Sequence, residues 1–302
     1  MARQKQILLD NALVSWANAI RYCDQIRAGK ITLEMRKNYV SALHNAIELF
    51  LKQVMLDNCD YRVATPRRIE VDGEPAKSFY AAGDLNAYFE NLDSKTRNKF
   101  ASIEFNVFYD LHKELLSAFL QPGASFKEEL RLVNELRNNE THFYIGRDEY
   151  LTENEFCTLY NFMADFYQVL HEYNLLPFWG EAGDEHQKLS FERQPLTSFS
   201  YEKAVKSSTI VKTIAQTANT MVFDDHAPTS VYEMACAISS ALPNYSDNQF
   251  DELWAYVEIM DQLRIIEIVQ TTSYETEEPE YGHDYFAPQT VTHFVYAFKV
   301  TL

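Results

Sequence analysis

The segment Arg137-Asn138-Asn139-Glu140-Thr141-His142 puts a guanidinium, a carboxamide and an imidazole within six residues, and Tyr144 follows two positions later. An arginine grips two oxygens of a phosphate at once through its planar fork. An imidazole titrates near neutral pH and can take or give a proton there. Asn138 and His142 stand four apart and share one face of a helix, so the carboxamide can hold the imidazole in one orientation. Arg137 and His142 stand five apart, well separated on a straight helix. They converge on one phosphate only if the helix bends or frays there, or if a second copy of the segment faces the first.

The elements around this segment read as a helical bundle. Leu9, Leu13, Trp16, Ile20 and Cys23 have helical spacing over about 5–28, and Gly29 is a plausible stop. Thr32 and Glu34 open a second helix that carries Tyr39, Leu43, Ile47, Phe50, Val54 and Met55 on one side. Residues 58–83 contain Pro66, Gly73, Pro75 and Gly83 and read as an inserted loop, with a small hairpin in RRIEVDGE. A third helix is expected over about 94–120 from Phe100, Ile103, Val107, Leu111, Leu115 and Phe119, ending at Pro122-Gly123. A fourth starts near Ala124, runs through Phe126, Leu130, Val133 and Leu136 into Arg137, and ends at Gly146. Thr152 and Glu155 form a capping-box pattern for a fifth helix to about Tyr173. Five helices with short later connections are bundle grammar.

With its polar residue after the arginine and its fourth-helix context, the segment resembles the Arg-x-x-x-x-His signature of HEPN domains. Tyr144 extends it to the Arg-x-x-x-x-His-x-Tyr form of small HEPN toxins that pair with minimal nucleotidyltransferases, and SALHNAIELFLKQ (41–53) resembles the second helix of such domains. The resemblance covers about residues 1–176 and implies a dimer with two motifs meeting at its interface. It implies metal-independent endoribonuclease activity with no cofactor. RNA brings its own nucleophile, the 2′-OH. His142 would take that proton or give one to the leaving 5′-oxygen, and Arg137 would hold the non-bridging oxygens as charge builds. The setting implied is a toxin or an antiviral, abortive-infection effector. The alternative is a non-catalytic HEPN scaffold or regulatory subunit of a larger assembly. In that case Arg137 pairs with Glu140 or Glu48 at a capped helix end, and His142 fills a half-buried position. Glu48 either pairs with Arg137 and positions it or is an exposed charge at the helix surface. Tyr144 stacks on a base, is a modification target as in those toxins, or belongs to the core.

Other chemistry finds little support in the sequence. His44 and Glu48 stand four apart but have no third ligand by spacing, and His112, His171, His186, His226, His283 and His293 show no ligand pattern. There is no Gly-rich phosphate loop and no Gly-x-Ser-x-Gly elbow. Arg67-Arg68 either touches RNA or is simply solvated. Cys23, Cys59, Cys157 and Cys236 are far apart without a Cys-x-x-Cys pair, which reads as reduced, apolar cysteines. With no signal-peptide pattern and no membrane-length apolar run, the expected location is the cytoplasm, without a membrane partner.

The net charge of -17 is unevenly spread: residues 1–150 hold 20 Lys+Arg against 21 Asp+Glu, and residues 222–302 hold 2 against 14. Residues 177–200 read as a linker. Beyond it, helices are expected at 201–220, at 229–241 with Thr229 as cap and Pro243 as end, and from Asp247 to Leu263. The β-rich runs IIEIVQTTSYE and THFVYAFKVTL follow, on either side of EEPEYGHD. This order is winged-helix-like. The fold class is therefore mainly α: an N-terminal HEPN-type bundle (1–176), a linker (177–200) and a small acidic α+β winged-helix-like domain (201–302). Such acidity argues against DNA binding by the last domain, because phosphate is repelled. It reads as a module for a protein partner, a dimerisation element, a nucleic-acid mimic or a solubilising surface.

Overall fold

A computed structural model describes residues 3–58, 60–66, 100–121, 123–141, 150–176, 188–224, 226–242, 246, 249–277 and 289–302. The chain is mainly helical, and it divides into two compact units. Unit 1 is Met1–Asp24 with Leu33–Phe199, and unit 2 is Gln25–Thr32 with Ser200–Leu302.

Unit 1 is built on α1 (Arg3–Arg27, whose last residues belong to unit 2), α2 (Leu33–Asp57), α3 (Phe108–Leu115), α4 (Lys127–Thr141) and α5 (Glu153–Glu172). The helical spacing of apolar residues is translated into one aromatic core. Trp16 lies fully buried with its ring centroid 6.4 Å from Phe50, 6.1 Å from Phe166 and 6.3 Å from Phe191. Burying each such ring contributes on the order of 2–3 kcal/mol. Helix α5 starts with the expected capping box: Thr152 accepts from the Glu155 amide, and the Glu155 carboxylate accepts from the Thr152 amide at 2.8 Å.

Two expectations for this unit are corrected. The helix expected over 94–120 is, among the described residues, a strand β2 (Phe100–Ser102), a 3-10 turn (Phe105–Val107) and only then α3. Tertiary pairing overrides the helical spacing: β2 runs antiparallel to β1 (Ala64–Pro66), and the Ile103 amide donates to the Val63 carbonyl at 3.1 Å. Residues 188–199, expected to be linker, pack into unit 1. Leu189 and Phe191 are buried, and Trp16 Nε1 donates to the Leu189 carbonyl at 2.9 Å. Asn161 clamps the Leu196 backbone, donating to its carbonyl at 2.9 Å and accepting from its amide at 2.8 Å. A buried indole N–H needs an acceptor, and this segment supplies it. The rest of the expected linker, 177–187, and the expected RRIEVDGE hairpin lie outside the described residues.

Unit 2 comprises α6 (Tyr201–Ser207), α7 (Thr209–Ala218), β3 (Val222–Phe223), α8 (Val231–Ala241), α9 (Phe250–Gln262), β4 (Ile266–Glu277) and β5 (Gln289–Val300). The sheet order is β3-β5-β4, all antiparallel, with Ile266 opposite Val300 and Glu277 opposite Gln289. The single helix expected at 201–220 is broken at Ser208, whose extended backbone (ψ 134°) ends α6 and opens α7. Serine competes with the helix for backbone hydrogen bonds, so a break there is cheap. The cap of α8 is Ser230, one residue after the expected Thr229, and it accepts from the Glu233 amide at 3.2 Å. Thr229 instead gives its amide (2.6 Å) and hydroxyl (2.8 Å) to the Glu233 carboxylate.

Gly29 ends α1 as expected. Its φ of +94° lets its amide reach the Ile26 carbonyl at 3.0 Å and the Lys30 amide reach the Gln25 carbonyl at 2.9 Å. The same pair of bonds closes α9 with a non-glycine, Arg264, at φ +53°: its amide bonds Asp261 at 2.9 Å, and the Ile265 amide bonds Met260 at 2.7 Å.

Candidate functional site

Helix α4 carries Arg137 and Asn138 near its C-terminal end, both half-buried. Its apolar residues Leu130, Val133 and Leu136 are buried. The same spacing that drives them inward leaves Arg137 and Asn138 at the border of the core. Asn138 Oδ1 accepts from Arg137 Nη1 at 3.4 Å. His142 and Tyr144, which complete the expected motif, lie outside the described residues. The carbonyl end of a helix dipole disfavours a phosphate, and the Arg137 guanidinium is a group among the described residues there that can attract one.

One turn earlier, Asn134 joins three helices. Its Oδ1 lies 3.2 Å from His44 Nε2 on α2, and its Nδ2 donates to the Tyr109 hydroxyl on α3 at 2.6 Å. An amide oxygen only accepts, so His44 is the Nε2–H tautomer. His44 is buried and stacks on Phe105, with centroids 4.0 Å apart. Among the described residues its Nδ1 has no hydrogen-bond partner, and it lies 3.7 Å from the Glu48 carboxylate. Burial pushes the imidazole below its ordinary pKa, and the Arg137 guanidinium acts the same way, while Glu48 and Asn134 pull upward. Arg137 is thus within electrostatic reach of His44. Glu48 is half-buried rather than exposed, and it pairs with Lys52 one turn on.

The turn that holds Arg137 is anchored from α5's side of the chain. The buried Tyr150 hydroxyl donates to the Leu136 carbonyl at 3.2 Å, and Arg36 of α2 donates to the Tyr150 carbonyl at 2.8 Å. At the other end of α4, fully buried His112 donates from Nδ1 to the Phe108 carbonyl at 3.0 Å and accepts the Phe126 amide at Nε2, also at 3.0 Å. This histidine satisfies a backbone donor ahead of α4 and is committed to structure.

The structure therefore brings Arg137, Asn138, Asn134, His44 and Glu48 to one region of α2 and α4. Sequence reasoning missed Asn134, Tyr109 and Phe105. Asn134 had one available signal: it stands four residues before Asn138 on the same helix face. His44 and Glu48, weighed as a metal pair, are engaged with Asn134 and Lys52. Among the described residues, no group of three His, Cys, Asp or Glu side chains is placed to hold a metal ion. Among them too, no helix is long and apolar enough to cross a membrane.

The chain was compared with protein-family models, curated proteins and solved structures, and it matches none of them.

Proposed function

We propose that the protein is a metal-independent endoribonuclease of the HEPN type, acting as a toxin or an antiviral, abortive-infection effector. One observation carries the reading: Arg137 and Asn138 share a half-buried turn of α4, braced by Tyr150 and by the His44–Asn134 link, just ahead of His142 in the sequence. A guanidinium held at the edge of a core is preorganised for an anion, which is what electrostatic stabilisation of a transition state requires. In this reading two copies meet through unit 1, and an RNA strand lies across their paired motifs. The 2′-oxygen attacks the neighbouring phosphorus while one His142 removes its proton. The bond from phosphorus to the 5′-oxygen breaks, and that oxygen takes a proton from the partner copy's imidazole. Arg137 holds the non-bridging oxygens throughout. The products are a 2′,3′-cyclic phosphate and a 5′-hydroxyl, and DNA, lacking the nucleophile, is resistant.

For unit 2 the proposal is a winged-helix-like module that docks a protein. Support comes from the order helix, helix, short strand, helix, helix, hairpin and from the β3-β5-β4 sheet. Two basic against fourteen acidic residues in 222–302 favour a protein over a nucleic acid as its partner.

The test is cleavage of labelled RNA by the purified chain in EDTA, with end-group analysis of the products. Cyclic-phosphate ends that disappear in His142→Ala and Arg137→Ala are expected. No cleavage, together with harmless expression in cells, sinks the catalytic reading. The second reading, a non-catalytic scaffold, draws on one feature: His44, Asn134 and Tyr109 bond in series across three helices, with the Glu48–Lys52 pair beside them on α2. Toxicity that depends on both Arg137 and His142 separates the two.

A further inference from the structure

Helices α8 and α9 each bury one face in unit 2: Met234, Ala235 and Ile238 on α8, and Leu253, Val257 and Met260 on α9. A second set of aromatic side chains points elsewhere. Tyr232 is 54% exposed and Trp254 is 40% exposed, both large for apolar rings on a folded chain. They meet edge to face at 5.7 Å, and Tyr232 meets Phe250 in the same manner at 5.6 Å. Two exposed rings and the half-buried Phe250, from two helices, therefore form one continuous patch rather than scattered surface residues.

The charged residues that α8 and α9 themselves bring to this patch are all acidic. Neither α8 nor α9 contains a lysine or an arginine. Asp251 and Glu258 stand three before and four after Trp254, on its face of α9, and both are exposed. Glu233, next to Tyr232, is also exposed. Glu252 has a cation, Lys30, at 3.2 Å; among the described residues, neither Asp251 nor Glu258 forms an ion pair.

We infer that Tyr232, Phe250 and Trp254, with Asp251 and Glu258, form a docking site for an arginine-rich segment of a partner protein. Guanidinium groups stack on aromatic faces and pair with carboxylates, so one side-chain type satisfies both parts of the surface. A purely apolar partner would strip water from the carboxylates and return nothing. Nucleic acid is repelled. A second copy of this chain is a poor match, because residues 1–150 are near neutral (20 basic, 21 acidic) and the rest is acidic. The inference deepens the reading of unit 2 as a protein-docking module, and it is independent of RNA cleavage.

The experiment is fluorescence anisotropy of a labelled nona-arginine peptide titrated with the full chain at about physiological salt. Binding is expected to weaken about tenfold in the double variant Tyr232→Ala, Trp254→Ala, although no charge changes. It is expected to weaken similarly in Asp251→Asn, Glu258→Gln, which leaves the rings in place. Circular dichroism of both variants reports folding, and the exposure of all four side chains predicts native spectra. Loss in the acidic variant alone overturns the aromatic site while leaving unit 2 an acidic docking module. Unchanged binding in both variants overturns the whole inference. So does a self-association that Trp254→Ala abolishes.

Discussion

The Nε2 of His44 lies 3.2 Å from the Oδ1 of Asn134, a bond that ties α2 to α4 three residues before Arg137. The contact spans 90 residues of sequence. It sets both the tautomer of a buried imidazole and the position of α4 along α2. The placement of the candidate arginine is thus controlled by a polar bond as well as by the apolar packing of Leu130, Val133 and Leu136.

Removing that control is measurable. Asn134→Ala leaves the buried His44 N–H without an acceptor and takes the donor from Tyr109, so a loss of about 2 kcal/mol is expected. Tyr109→Phe removes only one of the two bonds, and about 1 kcal/mol is expected. Urea denaturation of each variant checks both values. Equal or negligible losses would mean that the network carries no weight.

Acid should loosen unit 1 in a window set by its buried histidines. Burial holds His112 and His44 below their ordinary pKa. Near pH 6.5 and below, the unfolded chain takes up protons that the folded chain refuses, with an unfolded value of about 6.5. Stability is therefore complete above about 6.5 and is lost as the pH falls toward the folded values. Urea midpoints measured from about pH 7.5 down to 5 should decline, and His112→Gln should flatten the slope. A wild-type midpoint constant across that range would contradict the assignment.

Arg137→Lys distinguishes a bidentate grip from simple positive charge. Lysine keeps the charge but lacks the planar fork, so the RNA cleavage proposed above is expected to fall by on the order of tenfold or more. Single-turnover rates in EDTA provide the readout. A lysine variant as active as the parent would show that only net charge matters there.

Gly29→Ala should destabilise unit 2. A Cβ on Gly29 would lie 2.8 Å from the Ala204 carbonyl oxygen and 2.9 Å from Val205 Cα, at a φ of +94° that side chains avoid. Backbone strain and a clash with main-chain atoms together are expected to cost about 2–4 kcal/mol. Thermal denaturation followed by circular dichroism reads it.

Arg264→Gly should do the reverse. Arg264 occupies the left-handed cap of α9 at φ +53°, where an L side chain is strained and glycine is not. A gain of up to about 1 kcal/mol is expected, reduced by the greater freedom of glycine in the unfolded chain. A loss of stability would imply that the arginine side chain contributes more than its backbone strain removes.

Much of the fold was legible locally. The repeat of apolar residues marked α1 and α2, Gly29 marked the end of α1, and Thr152 with Glu155 marked the start of α5. The β-branched and aromatic runs near the C-terminus marked β4 and β5, whereas β3 is two residues long and has no period to detect. Of the candidate site, Arg137 and Asn138 stand on the expected helix. His142 and Tyr144 lie outside the described residues, and Asn134 was passed over because its partners are on other helices.

By itself, then, the sequence determined the mainly helical class, the end of α1 at Gly29, the start of α5 at Thr152, the strand character of the last segment and the concentration of acid in it. Those properties depend on neighbours a few residues away. Only the tertiary structure decided that Phe100–Ser102 is a strand, that residues 188–199 close over Trp16, and that His44 faces Asn134. Each of these rests on a partner far off in the chain, 173 residues away for Trp16 and Leu189. A local pattern records that a polar group or a strand edge needs a partner, and folding alone selects which one it meets.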